Sequence, residues 1–246
     1  MNEETVTSKQ SGPARPRVGR PAELDADRIV ATAIALADRE GLRAASLTKV
    51  AAALGVTPMS LYRHIGSKDG LTDLMADTAF GPPPVIGPGW RPALRAWATG
   101  QRTVFARHPW LTQILITGPP RGLNALAWMN AGLAALRETR LDWGAKIGAI
   151  TVIGGYVRQA FVTDRHMAEQ RGAEQRSEAQ SLEVYQRDVS TLDLSGLPEI
   201  AALFADQAFA EVPPDEESAA GDFAFGLDLI LDGVAAAVTT AEKSRS

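Results

Sequence analysis

Residues 46–66 read SLTKVAAALGVTPMSLYRHIG, and few structures can accommodate such a stretch. Ser46 is a good helix N-cap, the run behind it is rich in Ala and Leu, and Gly55 interrupts it. Thr57 then caps a second helix. Pro58 stands at its first helical position, where the missing N–H costs nothing. Two short helices joined by a glycine turn make a helix-turn-helix. Leu47, Val50, Ala51, Leu54, Val56, Leu61 and Ile65 take the inward positions. The second helix is about two turns long and would be marginal alone, so Leu61 and Ile65, four apart, must hold it from behind. Met59, Ser60, Arg63 and His64 then face away, flanked by Thr57 and Tyr62.

That outward face suits a DNA duplex. A recognition helix enters the major groove by its N-terminal residues. Small Thr57 and Ser60 permit close approach, Ser60 can bond several bases, and Met59 can touch a thymine methyl. Tyr62, His64 and Lys68 follow and can donate to phosphate oxygens. Ser67 caps a further helix, KDGLTDLMADTAF, whose free N–H groups form an anion site. Thr48, beside Ser46, can reach the DNA backbone from the other side. The competing reading is a plain helical hairpin with a solvated face.

Charge supports the first reading by its distribution rather than its sum. The net charge is −4, but residues 41–68 hold four basic side chains and no acid, and residues 188–242 hold twelve acids and no Lys or Arg. Residues 1–22 are polar and predicted to be a disordered basic arm. In it, Arg17 and Arg20 of RPRVGRP either enter an A·T-rich minor groove or only strengthen non-specific binding.

The remaining pattern is helical. A first helix is predicted over 25–40, with Asp25 as its cap and Ile29, Val30, Ala33, Leu36 and Ala37 as its apolar stripe. GPPPVIGPG at 81–89 breaks the chain. Further helices are predicted over 90–107, 109–117, 123–140, 143–168, 198–210 and 219–241, with 169–197 as a polar, mobile connection. No segment alternates as a strand would. The expected fold is all-α, with an N-terminal helix-turn-helix domain (23–80), a Pro/Gly linker (81–89) and a larger helical domain (90–242).

Composition argues against several functions. There is no cysteine, so no disulfide, thiolate metal site or cysteine nucleophile. The three histidines form no H-E-x-x-H, and no G-x-S-x-G or phosphate loop is present. No catalytic, metal or cofactor site is expected. The N-terminus does not read as a signal peptide, and IGAITVIGGYV (147–157) is too short to span a bilayer. A soluble cytoplasmic protein is the expectation.

Residues 25–80, most closely LYRHIGSKDGL (61–71), resemble the DNA-binding domain of the tetracycline-repressor (TetR) family. By position, the resemblance implies Thr57, Met59, Ser60, Tyr62, His64 and Lys68 at DNA, with Thr48 in support. Pro58 and Met59 stand where many members carry polar base readers, which shifts weight to shape readout or the arm. The rest of the chain resembles the family's C-terminal domain more loosely and implies a dimer face and a ligand cavity. The helices at 143–168 and 219–241 would pair across a homodimer as a four-helix bundle, with Gly148, Gly154, Gly155, Gly226 and Gly233 allowing close approach. Alternatively, both are core of a monomer. The cavity would use Trp97, Gln101, Phe105, Leu115, Trp128 and Met129, with Ile153 and Tyr156 from the next helix. These aromatics also suit a plain core.

Trp97, Gln101, Leu115 and Gly118 stand where the family's namesake holds its metal–tetracycline complex, so a bulky, largely apolar effector is expected instead. His108, before a proline at a helix end, reads as structural. The implied function is a ligand-responsive DNA-binding regulator, a repressor released by its effector. The alternative is a helical ligand-binding or scaffold protein without specific DNA binding.

Overall fold

Four side-chain caps set the N-terminal half of the fold. In the computed structural model, which describes residues 24–206 and 215–244, each accepts the backbone N–H three residues ahead. Asp25 starts α1 (Ala26–Glu40), Ser46 starts α2 (Leu47–Leu54), Thr57 starts α3 (Pro58–Ile65) and Ser67 starts α4 (Lys68–Phe80). Between α2 and α3, Gly55 takes a left-handed conformation (φ +68°) that side-chain-bearing residues rarely adopt. The expected stripe of α1 is buried residue for residue, and Val50, Ala51, Leu61 and Ile65 close over it.

The second half is built on α5 (Trp90–Arg107), which packs along α6 (Leu123–Ala135) and α7 (Trp143–Glu174). α8 (Glu178–Ser190) and α9 (Pro198–Ala205) lie between α7 and α10 (Asp215–Lys243), which returns along α7. No strand occurs among the described residues.

Three expectations need correction. The segment 109–117 is not a helix: Pro109–Gln113 forms a 3₁₀ turn and the chain then runs irregularly to Gly122. Arg158 of α7 takes the carbonyls of Thr112 and Ile114, which a continuing helix would need for itself. α6 stops at Ala135 rather than 140, where i→i+3 bonds from Leu136, Arg137 and Thr139 tighten the chain into turns. The stretch 169–197 is mostly ordered helix. α7 continues to Glu174, and a Ser177–Gln180 capping box launches α8. Its polar composition hid this, because α8 buries only Val189 and is sustained largely by local bonds. The expected 198–210 helix stops at Ala205, with Asp206 in a turn; residues 207–210, and the arm with Arg17 and Arg20, lie outside the described residues.

Two carboxylates fasten the halves together. Asp77 of α4 accepts the Ala125 N–H (2.8 Å), the Asn124 N–H (3.3 Å) and the Asn124 side-chain amide (3.4 Å). It thereby caps α6 from a different helix, since Gly122 at the N-cap position has no side chain to do so. Asp38 of α1 holds the Trp110 indole N–H (2.6 Å) and His108 Nδ1 (2.8 Å). The Pro/Gly segment is fixed too: the Trp128 indole donates to Gly81 O, and Trp97 donates to Trp128 O.

Replacing Asp77 with Ala should destabilise the protein by about 1–2 kcal/mol, the usual effect of losing an N-cap. Urea denaturation measures this. The exposed Asp73, one turn earlier on α4, is the control, and Asp73→Ala should stay within about 0.5 kcal/mol of wild type. Equal effects at both positions would contradict the capping role.

Candidate nucleic-acid interface and effector site

α3 is pinned by Leu61 and Ile65, both buried, and presents its opposite side to solvent. Met59 is 67% exposed, and Pro58, Tyr62, Arg63, His64 and Lys68 are exposed with it. Among the described residues, Tyr62, Arg63, His64 and Lys68 have no side-chain hydrogen bond or ion pair. Phenol, guanidinium, imidazole and ammonium therefore stand together with their donors free for an anionic partner.

The smaller residues are more committed. Thr57 Oγ1 accepts from Ser60 N–H, and the two hydroxyls share a 3.0 Å bond. A base edge reading Ser60 must share it with Thr57. The Ser46 hydroxyl is likewise occupied as a cap, while Thr48 is exposed. Lys49, counted among the basic residues of the acid-free stretch, is bound to Glu40 of α1 at 2.9 Å. That hydrogen bond, then the charge of Lys49, holds the Glu40 carboxyl below its usual range. The acid-free stretch is acid-free in sequence only.

In the second half, Trp97, Gln101, Phe105, Trp128 and Ile153 are buried together, with Met129 packed against them. Phe80 meets Phe105 and Trp128 edge-on, and Phe161 of α7 lies against Phe105. Gln101 is only 8% exposed and its amide Nε2 has no partner. Tyr156 donates from its hydroxyl to the Asp222 and Phe223 carbonyls, and so joins α7 to α10. Leu115 does not join the cluster: it is 82% exposed on the irregular segment after the 3₁₀ turn.

Sequence reasoning missed Arg158 and Asp38. Nothing local marks either, because their partners lie 44 or more residues away.

Residues 84–238 match the family described as tetracyclin repressor-like, C-terminal domain, and residues 29–75 match bacterial regulatory proteins, tetR family. The chain belongs to the TetR family. It is accordingly a ligand-responsive, DNA-binding transcriptional regulator. It is 36% identical over 224 residues to the HTH-type transcriptional repressor DrrR1 of Streptomyces coeruleorubidus, covering 89% of this chain and 80% of that one. Its fold is similar to that of the TetR protein ActR of Streptomyces coelicolor. The ActR complex with actinorhodin superposes with a TM-score of 0.71 at 25% identity, covering 88% of this chain and 99% of that one. The complex with (S)-DNPA gives 0.69 at 26% identity, covering 89% and 99%.

Substituting Lys68 with Ala should weaken binding to every duplex about equally and reduce the slope of log affinity against log salt by roughly one. Tyr62→Ala should also weaken all duplexes alike, and Met59→Ala should change the preference between sequences instead. Fluorescence anisotropy across a salt series separates these outcomes; an unchanged slope for Lys68→Ala would remove it from the phosphate contacts.

Proposed function

We propose that this TetR protein is a cytoplasmic homodimeric repressor that binds a palindromic operator through α3 and leaves it when a bulky, largely apolar effector occupies the α5–α6–α7 cluster. The observation that carries this reading is the exposed face of α3, where four partnerless donors surround a helix held rigidly from behind. Thr57, Pro58, Met59 and Ser60 would meet base edges. Tyr62, Arg63, His64 and Lys68 would meet phosphates, with Ser46 and Thr48 supporting from α2.

The dimer would form on α7 and α10. Val152 on α7 and Phe225 and Leu229 on α10 are exposed apolar residues. They lie in register with Gly148, Gly155 and Gly233, where an added Cβ would have no neighbour within 4 Å in this chain. Gly154 and Gly226 are better explained within the protomer. A Cβ on Gly226 would fall 2.3 Å from the Tyr156 hydroxyl, and Gly154 faces Gln101. Two helices from each subunit would make a four-helix bundle and set the two α3 helices about 34 Å apart, one turn of DNA. The binding of actinorhodin and (S)-DNPA by ActR supports an effector here. The Trp97–Phe105–Trp128 cluster supports an aromatic one.

Anisotropy with the duplex upstream of the protein's own gene tests the reading. Binding should exceed that to a random duplex by about a thousandfold or more at physiological salt. No preference at any salt would refute it. An effector identified by screening must lower operator affinity by the same factor by which operator lowers effector affinity.

A further inference from the structure

Arg158 stands apart from the other half-buried arginines that face acids. Arg91 and Arg95 pair with Asp228, and Arg102 with Asp164. Arg158 has no carboxylate partner among the described residues. It donates from Nη2 to the carbonyls of Thr112 (2.6 Å) and Ile114, which leaves the donors on Nη1 and Nε without an acceptor there. Burial alone pushes its guanidinium below the usual range, as expected for a charge drawn from water without a counter-charge.

Its position gives this meaning. Gly154 lies one turn before Arg158 on the same stripe of α7, and Phe161 lies just beyond. A Cβ on Gly154 would sit 3.6 Å from Gln101 Oε1 and 3.9 Å from the Trp97 ring, and Phe161 packs on Phe105. The Arg158 stripe therefore faces α5 beside Gln101 and Phe105. Gln101 holds its own buried, partnerless amide donor there. Gln101 Nε2, buried without a partner, and the remaining donors of half-buried Arg158 adjoin the aromatic side chains of Trp97, Phe105, Trp128 and Phe161. A neutral apolar ligand would leave both unanswered. A carboxylate has the charge and the paired lone pairs to answer both.

We infer that Arg158 and Gln101 form the polar end of the effector site and select an aromatic molecule carrying an ionised carboxyl group. This rests on the reading that the α5–α6–α7 cluster holds the effector. Isothermal titration of the full chain at neutral pH with two acid–amide pairs, 2-naphthoate with 2-naphthamide and anthraquinone-2-carboxylate with its primary amide, tests it. Each acid should bind about tenfold or more tightly than its amide. Arg158→Gln should abolish that preference by weakening the acid more than the amide, and Arg158→Lys should restore part of it.

Arg158 also braces the 3₁₀ turn, so Gln101→Leu provides a second reading. It removes an unmatched buried amide rather than a structural bond, and should still reduce the acid-over-amide ratio several-fold. Failure of both acids to bind, equal binding of acid and amide, or an unchanged ratio in the folded variants would overturn the inference. Operator affinity of the ligand-free protein is measured separately. Loss of the repressor reading would appear there, and loss of the acid site only in the titrations.

Discussion

The carboxylate of Asp77 is the junction on which the two halves of this protein depend. It leaves α4, the last helix of the helix-turn-helix half, and completes the first turn of α6, which carries Trp128 of the aromatic cluster. The contact is so close that a Cβ on Gly122 would lie 2.0 Å from Asp77 Oδ1, so only glycine fits there. A few residues on, Trp128 of α6 is tied to Gly81 at the end of α4 and receives the Trp97 indole of α5. Displacing α6 would disturb these bonds to α4.

Asp38 makes the second junction by the same means. Its partners, Trp110 and His108, sit at a 3₁₀ turn whose far end is held by Arg158 of α7. Both junctions rest on hydrogen bonds to a carboxylate, not on exposed ion pairs. Such bonds weaken steeply when distance or angle changes, so both junctions depend on the placement of the larger domain against α1 and α4. Charge is arranged differently elsewhere. The acid-rich C-terminal run stands opposite a basic N-terminal part in sequence, yet Asp228 and Asp232 are bound by Arg91 and Arg95 of α5. The hydrogen bond from Arg95, followed by its charge and then by Arg91, holds the Asp228 carboxyl below its usual range. Part of that polarity is neutralised by pairing between α5 and α10.

What was legible in the sequence was local. Asp25, Ser46, Thr57 and Ser67 cap helices through bonds spanning three residues, and each acts as its position implied. Leu61 and Ile65 were identifiable because helical periodicity decides their side without reference to the rest of the chain. What was hidden depends on distant partners. Nothing in ITGPPRG exposes Leu115, and nothing near Arg158 says that it ends the preceding turn. The helix at 178–190 was hidden for another reason. It buries so little that composition resembles a solvated loop, and its capping box was the one signal available.

The central claim is that α3 of each subunit lies in the major groove of one operator half-site. The chain has no cysteine, so Met59→Cys gives a single thiol on the exposed face of α3, to which an iron chelate can be attached. Cleavage of the upstream duplex by this conjugate reports directly where α3 sits. Two clusters of cuts, centred about one helical turn of roughly 34 Å apart and resistant to random competitor DNA, are the predicted result. Uniform cutting, or a single cluster with no partner at that spacing, would contradict it.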